Sequence, residues 1–97
     1  MTTNSISPTH STVKTNPNVI FRRLGEEIVL FHLESDKFYE LNGTAARFWE
    51  LLQTGKSENE IRNELLSEFA VEPAQLASEM KALLQSLSRE DLITLHE

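Results

Sequence analysis

Three histidines, His10, His32 and His96, and the carboxylates Glu58, Glu60, Glu64 and Glu68 are the side chains of this 97-residue chain best suited to chemistry. The histidines fall at no metal-ligand spacing, and His32 lies in an apolar run, where a structural role is the simpler reading. The four glutamates recur at spacings that line up along one side of a helix, which describes a solvated face better than an acid/base pair. No G-x-S-x-G nucleophile elbow occurs. The chain holds only three glycines, too few for a phosphate-cradling loop. It holds no cysteine, which removes disulfides, thiolate zinc sites and thiol nucleophiles and is compatible with a reducing cytoplasm. The expectation is a non-catalytic protein with no cofactor and no metal.

Charge and hydropathy narrow the partners. Fifteen acidic groups against nine basic ones give a net charge of −6, and Arg22-Arg23 is the only adjacent basic pair. Nucleic-acid binders concentrate cations on a stripe or helix, so DNA, RNA and anionic membranes are not expected partners. No apolar run approaches the ~20 residues of a membrane span, and the N-terminus lacks the apolar core of a signal peptide. A cytoplasmic location follows as the expectation.

Position along the chain supplies the elements. Residues 1–16 are rich in Thr, Ser, Asn and Pro, with Met1, Ile6 and Val13 as the large apolar side chains. Such a composition does not repay the entropy of ordering, so 1–16 reads as a disordered tail and 17–97 as one domain. Val19 to Leu24, Glu27 to Leu33 and Lys37 to Leu41 are β-branched, aromatic and apolar. With turns at Gly25-Glu26 and Glu34-Ser35-Asp36 they form a meander of three antiparallel strands.

Three helices follow. Asn42 suits an N-cap, Ala45, Phe48, Trp49 and Leu52 share one helical face, and Gly55 suits the position past the last turn, where positive φ is required. Ser57 and Glu60 have the spacing of a capping box, and Ile61, Leu65, Leu66 and Phe69 make the apolar face behind it. Pro73 suits the first turn of the third helix. Leu76, Ala77, Met80, Leu83, Leu84 and Leu87 give that helix a stripe of about 120° centred on Met80. Asp91 to Leu95 reads as a final short extended piece. Phe48 and Trp49 read as core, whereas Tyr39 could be core or could line a groove.

Strands before helices resemble a winged helix-turn-helix in which the sheet comes first, an α+β fold. The sequence resembles the PqqD family, the precursor-recognition elements of ribosomally made, modified peptides. The resemblance rests on Asn18-Val19 to Arg23, Gly25-Glu26, Val29-Leu30, Phe38-Tyr39-Glu40-Leu41-Asn42, Ala45-Ala46, Phe48-Trp49-Glu50-Leu51-Leu52, Gly55, Glu60-Ile61 and Leu65. In the third helix it is only apolar spacing. It covers about four-fifths of the chain and is most like the stand-alone, lasso-peptide type.

Membership implies a protein that binds the leader segment of a precursor peptide as an added strand beside Lys37 to Leu41, against the third helix. It implies presentation to a leader peptidase, a cyclase or another modifying enzyme. The residues expected to hold the leader are Lys37, Phe38, Tyr39 and Glu40 on the strand, with Ala77, Met80, Lys81 and Leu84 on the helix. Leu83 replaces Leu84 if the other flank of the helix faces inward. Two other readings are a peptide chaperone of pyrroloquinoline quinone synthesis and a winged-helix DNA-binding regulator. The second is disfavoured because Lys81 is the only cation from Pro73 to Leu87.

Overall fold

In the structure, a computed structural model, residues 12–96 are described. A three-stranded antiparallel sheet comprises β2 (Val19–Leu24), β3 (Glu27–His32) and β4 (Lys37–Asn42) in the order β2-β3-β4. Helices α1 (Gly43–Gln53), α2 (Glu58–Glu68) and α3 (Pro73–Arg89) follow. A second sheet pairs β1 (Thr12–Thr15) antiparallel with β5 (Ile93–His96). The α+β architecture and the three-strand, three-helix order are as expected from the sequence. No helix among the described residues is long and apolar enough to cross a membrane.

Alternation explains the larger sheet. Ile28, Leu30 and His32 of β3 are buried on one face, and their partners Leu41 and Tyr39 on β4 and Phe21 on β2 lie on the same side. Trp49 and Phe48 of α1 are completely buried, with Phe21 meeting the Trp49 ring edge-on at 6.0 Å between centroids. Ile61 and Leu65 of α2 and Leu76, Met80 and Leu87 of α3 complete the core. Burying side chains of this size stabilises by about 1.5–3 kcal/mol each.

The helix termini obey local rules, with one correction. Ser57 and Glu60 form both hydrogen bonds of the capping box, which holds the Glu60 carboxyl below its usual range. Pro73 occupies the first turn of α3, and Gly55 has φ +83° just past α1. Asn42 stands at the N-cap position of α1, but its side chain makes no capping bond. The turn into the helix is made instead by Gly43 at φ +55°, a conformation that is cheap for glycine alone.

The expected tail is corrected over its last five residues. Residues 1–11 lie outside the described residues, but Thr12–Thr15 is β1 and Asn16 is buried. Asn16 Nδ2 donates to the Asp91 backbone oxygen at 2.8 Å and to Asp91 Oδ2 at 3.2 Å. Its N–H donates to the Leu92 oxygen at 3.0 Å. A composition argument counts only local apolar area, whereas this segment is ordered by a strand from the other end of the chain. Deleting residues 1–11 should therefore change unfolding free energy by less than about 0.5 kcal/mol. Deleting 1–16 should cost at least about 2 kcal/mol, from lost strand pairing and unsatisfied buried partners. Urea denaturation of the two truncations measures both, and equal stability would refute the role given to β1 and Asn16.

Candidate functional site

β4 is an edge strand, and one hydrogen bond fixes which of its backbone groups face outward. Leu33 N–H donates to the Asn18 oxygen at 2.8 Å, and Val19 stands opposite His32. In an antiparallel ladder, bonding at that flanking position means that His32 points its own N–H and C=O away from β2. His32, Leu30 and Ile28 therefore bond across to Lys37, Tyr39 and Leu41, their register partners on β4. Phe38 and Glu40 are left with N–H and C=O directed away from the sheet, and Asn42 with its N–H, where an extended chain could pair with them.

Side-chain direction divides β4 in the other sense. Phe38 and Glu40 are exposed on the outer face, whereas Tyr39 is half-buried on the face toward the helices. Tyr39 Oη donates to Glu90 Oε1 at 2.9 Å. Partial burial, then the bond to Glu90, push the tyrosine pKa up. The contact ties the start of β4 to the end of α3. A polar hollow of about 360 Å³ there is lined by Lys37, Tyr39, Arg89 and Glu90 together with the β3–β4 turn. Beyond the other end of β4, an apolar hollow of about 190 Å³ lies between Thr44 and Ala45 of α1 and Leu76, Glu79 and Leu83 of α3. β4 and α3 thus flank a cleft, closed at one end by Tyr39 and Glu90.

The sequence-predicted residues divide between two places. Lys37 and Tyr39 face the cleft, and Phe38 and Glu40 hold its open backbone edge. Ala77, Met80, Lys81 and Leu84 come together, but in a different groove of about 610 Å³, which α3 shares with Glu58 and Arg62 of α2. Met80 borders both this groove and the apolar hollow, and Arg89 borders both this groove and the polar hollow at β4. The flank turned toward β4 and the start of α1 carries Glu79, Leu83 and Glu90, and it is Leu83, not Leu84, that lines the hollow there. These two neighbours lie ~100° apart around a helix, and an apolar stripe contains both. Glu79 and Glu90 were missed because a charge beside an apolar stripe ordinarily signals solvent.

His32 is structural. The buried imidazole accepts at Nδ1 from Glu34 N–H at 3.2 Å and from Ser35 N–H at 3.3 Å, so Nε2 carries the proton and donates to Asp91 Oδ2 at 3.1 Å. Asp91 holds φ +62° and also receives Asn16. His32, Glu34 and Asp91 are near enough to hold a cation, yet both imidazole nitrogens are already engaged with the protein. His32→Ala should cost about 1–3 kcal/mol, since a buried side chain is removed together with its bonds to Glu34, Ser35 and Asp91. A chemical denaturation midpoint equal to that of the parent would contradict this. Glu60, Glu64 and Glu68 are engaged with the protein as well, and Glu58 lines the α2–α3 groove. Arg47 donates to Glu68 at 2.8 and 2.9 Å, holding that carboxyl below its usual range, and Glu64 lies near Arg47 and Lys56.

An α+β domain with an open strand edge beside a helix-walled cleft is a scaffold for capturing an extended peptide. A family model described as coenzyme PQQ synthesis protein D (PqqD) matches residues 27–93, more than half of the chain, and the chain belongs to the PqqD family. Two solved structures are similar to it. TbiB1 in complex with the TbiA(beta) leader peptide is 26% identical, with a TM-score of 0.79 over 82% of this chain and 93% of that one. Lasso peptide synthetase B1 complexed with the leader peptide is 25% identical, with a TM-score of 0.78 over 86% of this chain and 98% of that one. No curated protein sequence gives a significant match.

Proposed function

We propose that this protein is a non-catalytic recognition element of lasso-peptide biosynthesis. It binds the leader of a ribosomally made precursor as a strand added to β4 and presents the precursor to a leader peptidase and a cyclase in the cytoplasm. The observation that carries this is the open edge at Phe38 and Glu40 facing a cleft whose far wall is α3. Two similar structures, each described with a leader peptide, support the same reading. Backbone pairing supplies affinity, Lys37, Tyr39, Leu83 and Met80 shape the cleft, and a leader disordered when free can adopt the extended form. Ala77, Lys81 and Leu84 belong to this site only where a bound leader also reaches the α2 side of α3.

The family description favours a second reading, a peptide chaperone in pyrroloquinoline quinone synthesis. Titration with synthetic leaders separates the two. The leader of a lasso precursor encoded beside the gene should bind at least about tenfold more tightly than a pyrroloquinoline quinone precursor peptide, a difference of ~1.4 kcal/mol. The reverse order would favour the second reading. A low-salt gel shift with duplex DNA should show no sequence-dependent binding, and a submicromolar specific complex would overturn both.

A further inference from the structure

The outer face of the larger sheet, turned away from all three helices, is apolar and uncovered among the described residues. Cross-strand register places Ile20, Phe31 and Phe38 in one row across β2, β3 and β4. The Phe31 and Phe38 rings touch, tilted at 45° with 4.6 Å between centroids. Ile20 is 54% exposed and Phe38 69%. The next row is Arg22, Val29 and Glu40, with a cation at one edge, an apolar residue at the centre and an anion at the other edge. Neither Arg22 nor Glu40 has an ion-pair partner among the described residues. Contiguous apolar surface rimmed by charge marks an interaction site.

We propose that a second copy of this chain covers this face, in a two-fold dimer whose axis runs along β3 between the two sheets. The charge pattern selects that axis. Rotation about the strand direction lays the partner's β2 over β4, so that each Arg22 meets the other copy's Glu40 and each Ile20 meets the other copy's Phe38. Val29 and Phe31 then meet their own copies at the centre, and Glu27 meets its own copy at the end of the strand, where both carboxylates are exposed to solvent. Rotation about the perpendicular in-plane axis would instead set Arg22 on Arg22 and Glu40 on Glu40 where the axis passes through their row, which like charges oppose, or would lay both charges on the apolar row where it passes between the two. Packed sheets lie ~10 Å apart and cross at about 30°. At one strand spacing from the axis this moves facing residues by only ~2.5 Å, within reach of arginine and glutamate side chains. An isologous contact needs such a self-complementary patch. The contact uses the face of the sheet and not its rim, so the outward N–H groups of β4 stay free, and the dimer does not depend on what β4 binds.

Sedimentation velocity of the full chain alone, from about 1 μM to 1 mM, tests this. A reversible monomer–dimer equilibrium is expected. Arg22→Glu and Glu40→Arg should each raise the dissociation constant at least tenfold. The double exchange should return it to within threefold of the parent, because the opposite charges again meet. Phe38→Ser should leave monomer throughout. All three positions are exposed, and circular dichroism confirms each fold. A parent that is monomeric at every concentration overturns the proposal. So does a dimer indifferent to the charge exchanges, which would place the contact elsewhere, at an open strand edge for instance. Leader peptide is absent from the experiment, so its failure leaves the leader-binding reading untouched.

Discussion

Trp49→Ala should unfold the protein. The indole is completely buried at the centre of the core, between the sheet and the helices. Phe21 contacts its ring, and Phe48, Leu51 and Leu52 of the same helix are buried with it. Its Nε1–H is buried without a hydrogen-bond partner among the described residues, so the side chain stabilises through apolar contact. Removing a buried aromatic of this size costs about 3–5 kcal/mol. Native domains hold only about 5–15 kcal/mol in all, and a chain of this length sits at the low end of that range. The expected result is lost cooperative unfolding, or a urea midpoint lowered by more than half. A well-folded Trp49→Ala protein that loses only peptide binding would contradict the assignment of Trp49 to the core.

Substitutions on the two walls of the cleft should weaken leader binding without unfolding. Phe38→Pro or Glu40→Pro removes an outward N–H while leaving the ladder from β4 to β3 intact, the one circumstance in which an edge strand tolerates proline. Leu83→Asp puts a second carboxylate, beside Glu79, into the lining of the apolar hollow at the start of α1. Each should raise the leader dissociation constant at least about tenfold, in keeping with the 1–3 kcal/mol cost of a lost buried partner. Leu84→Asp changes the α2 side of α3 and should weaken binding by less than about threefold. Calorimetric titration, with circular dichroism on each variant, reads the difference. A loss at Leu84 and none at Leu83 would move the leader to the α2–α3 groove. Full retention in both proline variants would rule out strand addition at β4.

These assignments were legible in the sequence to different depths. The three strands from Val19 to Leu41 and the three helices were readable because their apolar periodicity, the capping box at Ser57, the stop at Gly55 and the start at Pro73 are local signals. β1 was not, because Thr12-Val13-Lys14-Thr15 has one apolar side chain and is ordered by β5, the most distant strand in the chain. The link of Asn16 and His32 through Asp91 was hidden for the same reason. The strand of the candidate site was readable, but not the parity of its backbone. A single turn bond, Leu33 N–H to the Asn18 oxygen, separates Phe38 and Glu40 from Tyr39. On α3 the apolar stripe gave the face and not the flank, since Leu83 and Leu84 satisfy the same pattern.

The alternation of outward backbone groups on β4 sets a grammar for whatever pairs there. A strand offers a bonding unit every second residue, about 6.6–6.8 Å along the chain. A peptide held at Phe38, Glu40 and Asn42 must therefore turn alternate side chains toward α3 and the others toward the outer face. One set meets Leu83, Glu79 and the Tyr39–Glu90 bridge, and the other meets open surface. A precursor could therefore change freely at every second leader position while the intervening ones stay restricted. Shifting the peptide by a single residue would exchange the two sets, so its spelling fixes its frame.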